Sequence, residues 1–163
     1  MDKKIYIIGP CGSGKTTLSY KLSEKYNIDR YELDKIVWDD DNGNIKRTDE
    51  EISNLFNEII SKDCWIIEDI GREKFISGVR EADITYYINL FSVIIYERCI
   101  CRWLKQKFGL EKYNYKPTIG GLLEMLRWVK KDLNNRNKKI QYIIDNSKQY
   151  KILTRKDIKC MMR

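Results

Sequence analysis

The stretch Gly9-Pro10-Cys11-Gly12-Ser13-Gly14-Lys15-Thr16 determines how the rest of the chain is interpreted. It follows the pattern G-x-x-x-x-G-K-[ST], in which glycines let several backbone N–H groups face one anion. In this pattern the lysine contacts the β- and γ-phosphates of a nucleotide, and the hydroxyl after it binds Mg²⁺. The stretch therefore predicts a phosphate-binding loop, in which Gly9 to Thr17 hold the nucleotide.

The segments on either side of the loop support this interpretation. Residues 3–8 before it contain the continuous apolar run of a strand that is buried on both faces. Residues 17–26 after it place Leu18 and Leu22 on one face of a helix. The start of that helix would add its dipole and its unpaired N–H groups to the anion site. A glycine-rich turn that binds nothing is the competing interpretation, and the strand–loop–helix order argues against it.

Length and composition restrict the protein class. The 163 residues are enough for one domain with a sizeable core. The chain has no apolar run of the roughly 20 residues that a membrane span needs and no signal-peptide pattern, so we expect a cytoplasmic protein. Five cysteines without a C-x-x-C pair argue against a disulfide framework or a zinc site. Because histidine is absent, proton transfer must use Asp, Glu, Lys, Tyr or water.

Charge is unevenly distributed along the chain, whose net charge is +7. Residues 1–70 carry 15 acidic and 10 basic side chains, whereas residues 71–163 carry 9 acidic and 21 basic ones. A basic half can bind nucleic acid. It can also form the arginine-rich side of a phosphoryl-transfer site, and the phosphate-binding loop favours this second interpretation.

Strand and helix patterns alternate after the loop. Further strands are predicted at residues 29–33, 64–67, 84–90 and 150–153. Helices are predicted at 48–60 after a Thr48/Glu51 capping box, at 92–108, at 122–147 with a break near Asn134-Asn135, and at 154–162. The alternation predicts an α/β fold of the three-layer P-loop NTPase type, with a five-stranded parallel sheet and the site at the carboxyl ends of its strands.

The segment around residues 107–121 is predicted to be a short lid within a single domain, 1–163. It is rich in Lys, Tyr and Gly, and such a loop beside a phosphate site is typical of a lid. A plain connector is the alternative.

Carboxylates follow two of the predicted strands. Glu68 and Asp69 follow the third strand, at the position where such enzymes hold Mg²⁺ or its water, so they join Thr16 as candidate metal ligands. Asp34 follows the second strand and is predicted to take a proton from an acceptor hydroxyl. A helix or turn cap is the alternative for Asp34.

Arginines of the basic half are candidates for contacts with phosphate. Arg98 and Arg102 are four residues apart, so they share one face of the predicted helix. Together with Lys15 they are predicted to neutralise charge on the transferred phosphoryl group. Arg136 is a third candidate for binding the nucleotide phosphates. A solvated helix face is the alternative for these arginines.

Several segments together resemble the bacterial "DNA topology modulation" proteins, a FlaR-like branch of the adenylate-kinase-like P-loop kinases. They are residues 9–17, 33–38, 65–68, 82–83 and 151–155. The resemblance implies a sheet of order 2-3-1-4-5, a nucleoside- or nucleotide-kinase-like site and a short arginine-bearing lid, and it adds Arg155 to the nucleotide-binding candidates. Such proteins usually have Asp-Gly where this chain has Glu68-Asp69, which leaves open which carboxylate serves Mg²⁺.

These observations favour ATP-dependent phosphoryl transfer from Mg-ATP to a small acceptor that carries a hydroxyl or a phosphate. The alternative is a regulatory ATP-binding protein that contacts DNA through its basic C-terminal half. A GTPase is disfavoured, because Asn137-Lys138 is not followed by the aspartate of the guanine-reading pattern Asn-Lys-x-Asp.

Overall fold

The computed structural model describes residues 3–39, 43, 45–111 and 117–162. The strands are β1 (Lys4–Ile8), β2 (Arg30–Glu32), β3 (Trp38–Asp39), β4 (Ile45–Lys46), β5 (Trp65–Asp69), β6 (Ile84–Ile88) and β7 (Tyr150–Leu153). The helices are α1 (Lys15–Tyr26), α2 (Leu33–Val37), α3 (Asp49–Ile60), α4 (Ile76–Glu81), α5 (Ser92–Lys107), α6 (Ile119–Asn134), α7 (Arg136–Asn146) and α8 (Arg155–Met161). A 3₁₀ turn, Glu73–Phe75, precedes α4.

Five strands form a parallel sheet in the order β2-β5-β1-β6-β7. The predicted fold class and the predicted order 2-3-1-4-5 are therefore confirmed. Strand β1 lies at the centre, and its last residue, Ile8, pairs with Asp69 of β5 and with Tyr87 of β6. This register places the loop after β1 directly beside the carboxyl end of β5.

Strand β1 is buried on both faces, as its apolar run predicts. Ile5 and Ile7 pack in one cluster with Leu18 of α1. Tyr6 and Ile8 pack in a second cluster on the opposite face, which includes buried residues of α2, α3 and α4. The sheet is thus the middle of three layers, because side chains alternate between its faces.

The predictions for residues 29–44 are partly wrong. Strand β2 ends at Glu32, and the chain enters α2 at Leu33 instead of continuing as a strand. Leu33, Ile36 and Val37 are all buried, and their helical spacing lets one short helix cover the sheet edge. The sequence predicts a loop at residues 35–44, with an acidic turn at 39–43, but this stretch contains the rest of α2 and part of the antiparallel pair β3–β4. Residues 40–42 of the predicted acidic turn lie outside the described part of the chain.

Helix α5 forms where it is predicted, and packing decides which of its sides is buried. Val93, whose spacing with Tyr96, Ile100 and Leu104 predicts the helix, is 75% exposed. Ile95 and Cys99 are the buried residues of this helix instead. Helix α5 has apolar residues on more than one side. The side that carries Cys99 is the buried one, because it contacts the loop after β1.

Other local predictions are confirmed. The Thr48/Glu51 capping box starts α3, and the long helical segment breaks at Asn135 between α6 and α7. The ends of the predicted lid belong to α5 and α6, and residues 112–116 of the lid lie outside the described part. In the parts of the chain that the structure describes, no helix has the length and apolar character to cross a membrane.

Gly78 of α4 gives a test of the packing on the face of the sheet that carries Tyr6. A Cβ at Gly78 would lie 2.8 Å from Phe56 Cζ and 2.8 Å from Tyr6 Cε2. We expect Gly78→Ala to lower the free energy of unfolding by about 1–3 kcal/mol, because a packed core resists added volume. Urea denaturation measures this change.

The matched control is Gly120→Ala, also in a helix, where the nearest atom to an added Cβ is Thr118 Oγ1 at 4.0 Å. This exposed substitution should leave stability unchanged or raise it by up to about 1 kcal/mol. Equal stability of the two variants would contradict the packing described for Gly78.

Candidate active site

The loop between β1 and α1 has a backbone that requires glycine. Gly12 and Gly14 have φ values of +74° and +96°, in the left-handed region. Space is also limited, because a Cβ on Gly12 would lie 2.8 Å from Cys99 Sγ and one on Gly9 would lie 2.8 Å from Ser13 Oγ. The glycine pattern of the sequence is therefore explained by conformation and by packing against α5.

The start of α1 leaves backbone donors open beside the loop. Gly14 is the N-cap residue and makes no side-chain cap. The first helical hydrogen bond joins the N–H of Leu18 to the Gly14 carbonyl at 3.0 Å, so the three intervening N–H groups have no helical acceptor. Lys15 Nζ turns back and donates to the Pro10 carbonyl at 3.0 Å. The uncapped N–H groups and the Lys15 ammonium thus lie together at the start of α1, as the sequence predicts.

Glu68 is a buried carboxylate near this segment. Its side chain is 5% exposed, and among the described residues neither of its oxygens has a hydrogen-bond partner. Arg30 Nη1 lies 3.6 Å from its Oε1. Burial raises the pKa of Glu68 to about 7, the Glu32 carboxylate adds to the rise, and Lys15, the Thr16 hydroxyl and Arg30 oppose it. An unsatisfied carboxylate beside Lys15 and Thr16 is a position that a cation would complete.

Asp69, the next residue, points to the other face of the sheet, because side chains alternate along β5. Its Oδ2 accepts hydrogen bonds from the N–H groups of Gly71 at 2.8 Å and Arg72 at 2.6 Å. Its Oδ1 lies 3.0 Å from Arg72 Nη1. Burial raises the pKa of Asp69, and the Arg72 guanidinium is the largest opposing influence. Asp69 is therefore hydrogen-bonded by the chain itself, whereas Glu68 has, within the described ranges, only the Arg30 guanidinium at 3.6 Å.

Asp34 lies in the first turn of α2 and not at the end of a strand, so its predicted location is corrected. It stays near the carboxyl edge of the sheet, because Glu32 two residues earlier pairs with Glu68. Its Oδ1 forms an ion pair with Arg72 Nη2, and its side chain is 65% exposed. Arg72 therefore joins Asp34 to Asp69.

Arg98 and Arg102 project from α5 near the loop. Arg98 Nη1 donates to the carbonyl of Ser13 at 3.0 Å and to that of Gly12 at 3.4 Å. Arg102 Nε lies 3.2 Å from Glu111 Oε1, in the segment predicted to be the lid. The structure thus places both arginines beside elements of the predicted site.

Arg136 and Arg155 are not joined to the loop. Arg136 Nη2 donates to the Leu90 carbonyl, beyond β6, at 2.9 Å. Arg155 is exposed at the start of α8, after β7, which is two strands away from β1. In the described part of the chain neither forms a hydrogen bond or ion pair with the loop, so their role in nucleotide binding stays a prediction.

Two cationic residues of this region were missed by the sequence analysis as site residues. Arg72 connects Asp34 and Asp69. Lys139 of α7 pairs with Asp132 and donates to the Ile70 carbonyl, so it ties α7 to the carboxyl end of β5. The signal for Arg72 was its position just after the carboxylates of a predicted strand. Lys139 had no comparable signal, because its contact with the Ile70 carbonyl depends on how α7 packs against the carboxyl end of β5, far away in the sequence.

Comparisons with known proteins identify the fold. No family model and no curated protein matches the chain, so the resemblance to the DNA topology modulation proteins stays a prediction. Shikimate kinase from Bacteroides thetaiotaomicron has a similar structure, with a TM-score of 0.62, 16% identity, and coverage of 97% of this chain and 93% of that chain. Shikimate kinase from Acinetobacter baumannii, solved in complex with shikimate, gives a TM-score of 0.62, 14% identity, and coverage of 98% and 88%.

An uncharacterized protein from Eubacterium ventriosum ATCC 27560 is similar as well, with a TM-score of 0.56, 18% identity, and coverage of 99% of this chain and 94% of that chain. At these identities the likeness concerns the fold. The chain has the α/β fold of the shikimate kinases, with its glycine-rich loop after the central strand.

The buried carboxylate of Glu68 predicts a pH-dependent stability. Its pKa is raised to about 7 from an ordinary 4.5, so the protonated form is favoured by folding, and stability is lost as the pH rises through this interval. Without nucleotide or metal, Glu68→Gln should match the wild type near pH 4.5. At pH 8 it should raise the free energy of unfolding by about 1–3 kcal/mol, since each pKa unit corresponds to about 1.4 kcal/mol.

Chemical denaturation at the two pH values measures this difference. Glu58→Gln, an exposed change on α3, is the matched control and should differ from the wild type equally at both. A Glu68→Gln effect that is the same at pH 4.5 and pH 8 would contradict the raised pKa.

Proposed function

We propose that this chain is a small-molecule kinase that transfers the γ-phosphoryl group of ATP to an acceptor hydroxyl or phosphate. One observation carries the proposal: the glycine-rich loop after β1 lies next to a buried carboxylate, Glu68, without a hydrogen bond in the described part of the chain, at the carboxyl edge of the sheet. The loop supplies positive groups for the phosphates, and the neighbouring carboxylate supplies a place for the cation of Mg-ATP. The fold shared with shikimate kinases supports a small acceptor.

Glu68 and Thr16 are the proposed Mg²⁺ ligands. Glu68 is chosen over Asp69 because both oxygens of Asp69 face Arg72 or backbone N–H groups. Among the described residues no group of three or more acidic or cysteine side chains could hold a metal. This fits Mg²⁺, which usually takes one or two protein ligands and completes its shell with phosphates and water. When bound, Mg²⁺ would neutralise charge on the β- and γ-phosphates.

Asp34 is the proposed group on the acceptor side. Its carboxylate is exposed at the same edge as Glu68 and is held by Arg72 from the β5 side. It can therefore orient an acceptor hydroxyl and accept its proton. A phosphate acceptor would need no base and would interact with the Arg72 guanidinium instead.

Lys15, Arg98 and Arg102 are the proposed cations around the transferred group. Lys15 must exchange its part-buried bond to the Pro10 carbonyl for one to phosphate. Arg98 stabilises the loop by donating a hydrogen bond to the Ser13 carbonyl. Arg102 reaches the predicted lid through Glu111. This distribution supports positioning of the donor by Arg98 and coupling of the lid to the loop by Arg102.

The loss of the Lys15 ammonium should remove most of the affinity for nucleotide. We expect Lys15→Ala to weaken binding of Mg-ATP at least about tenfold, because a hydrogen bond to a charged group contributes about 1.5–3 kcal/mol. Isothermal titration calorimetry gives the affinity. Lys25→Ala, an exposed lysine at the other end of α1, is the control and should bind ATP normally. Undiminished affinity in Lys15→Ala would contradict the assignment of the loop.

The catalytic role of Asp34 is tested with an acceptor panel. Mg-ATP and the wild type are incubated with nucleosides, nucleoside monophosphates, sugars and hydroxylated carboxylic acids such as shikimate, and ADP and phosphorylated product are measured. With a hydroxyl acceptor, Asp34→Asn should lower turnover about a hundredfold or more while ATP still binds. Asp29→Asn, which precedes β2 at the opposite edge of the sheet, is the control.

Normal turnover with a lowered melting temperature would show that Asp34 is only a structural partner of Arg72. ATP binding without any phosphorylated product, combined with salt-dependent DNA binding, would instead favour the regulatory alternative.

A further inference from the structure

Two of the five cysteines meet at the phosphate-binding loop. Cys11 lies in the loop and is half-buried, whereas Cys99 lies in the middle of α5 and is 1% exposed. Cys99 Sγ lies 3.9 Å from the Cys11 carbonyl oxygen, and Cys11 packs against the buried cluster that contains Cys99. Cys101, two residues further along α5, is exposed. The loop thus contains a close cysteine pair, whose partners are 88 residues apart in the sequence.

The charges around this pair give its two thiols different chemistry. The hydrogen bond from Cys99 lowers the pKa of Cys11, Lys15 and Arg102 lower it further, and burial and the Asp34 carboxylate act against them. The same hydrogen bond and burial raise the pKa of Cys99. Arg98 adds a positive charge at the neighbouring loop carbonyls. Cys11 is therefore the nucleophile of the pair, and Cys99 keeps its proton.

We infer that Cys11 and Cys99 form a thiol modification site, in which a peroxide oxidises Cys11 and Cys99 then closes a disulfide between the loop and α5. In the first step the Cys11 thiolate attacks one peroxide oxygen, the O–O bond breaks, and Cys11 becomes a sulfenic acid while hydroxide leaves. In the second step Cys99 sulfur attacks Cys11 sulfur, its proton joins the departing hydroxide, and water is released. Two thiols and one hydrogen peroxide thus give one disulfide and two waters.

The disulfide would change the shape of the phosphate-binding loop. Sulfur atoms in a disulfide are about 2.05 Å apart, which is closer than two non-bonded sulfur atoms approach. Cys99 is fixed within α5, whereas Cys11 lies between Pro10 and the left-handed Gly12, so the loop has to move toward the helix. This movement would displace the N–H groups that face the phosphates. The effect on ATP rests on the proposed function, but the formation of the bond does not.

The experiment compares the reduced wild type with two variants, Cys99→Ala and Cys101→Ala, after treatment with about one equivalent of hydrogen peroxide. Peptide mapping by mass spectrometry should find the Cys11–Cys99 disulfide in the wild type and in Cys101→Ala, with a mass loss of about 2 Da. Cys99→Ala should instead carry a sulfenic acid on Cys11 that dimedone traps. If peroxide reacts first at Cys101, or if no Cys11–Cys99 disulfide forms, the inference is wrong.

Binding of Mg-ATP is measured on the same samples. The oxidised wild type and the oxidised Cys101→Ala variant should bind ATP at least tenfold more weakly than their reduced forms, and dithiothreitol should restore the affinity. Unchanged affinity of the fully oxidised protein would overturn the effect on the loop. If the reduced protein binds no ATP, the proposed function fails, while the disulfide map still decides the modification site.

Discussion

The pairing of β1 with β5 is the constraint on which the candidate site depends. Because Ile8 pairs with Asp69, and the N–H of Gly9 bonds to the Asp69 carbonyl at 3.3 Å, the loop begins at the level where β5 ends. A shift of the register by one residue would exchange the faces of every β5 side chain. Glu68 would then face the core around Tyr6 and not the start of α1. The hydrophobic burial of both strands on both faces therefore also fixes the polar geometry at their ends.

Alternation along β5 also separates two carboxylates that are adjacent in the sequence. Glu68 faces the side of α1 and has no hydrogen-bond partner among the described residues, whereas Asp69 faces the other side and holds Gly71 and Arg72. Both carboxylates are buried, so their ionised forms are unfavourable unless a positive group compensates. Asp69 has its positive group within the chain. Glu68 has the Arg30 guanidinium at 3.6 Å but no hydrogen bond from it, and this difference gives the two residues different roles.

Much of the fold could be predicted from the sequence, because its signals are local. The loop pattern, the apolar run of β1 and the Thr48/Glu51 capping box depend on neighbouring residues only. The sheet order came from the family resemblance. The start of α2 was missed because Leu33, Ile36 and Val37 fit a strand end as easily as a single helical turn.

The contacts of the site could be predicted less well. The ion pairs of Arg72 join α2, β5 and the turn after it, and the contact of Cys99 joins α5 to the loop. Both depend on the packing of elements that are distant in the sequence. The buried face of α5 depends on such packing as well, because spacing alone does not tell which apolar face meets the rest of the molecule.

Because Glu68 is buried and its pKa is raised, ligand binding at this residue is coupled to the release of a proton into the solvent. With its pKa raised to about 7, this carboxyl group is partly protonated at neutral pH. Any ligand that requires the ionised carboxylate must displace that proton into the solvent. The enthalpy observed in a calorimeter would then include the ionisation heat of the buffer. Titrations in two buffers of different ionisation enthalpy would therefore give the net number of protons released on binding, to which Glu68 contributes.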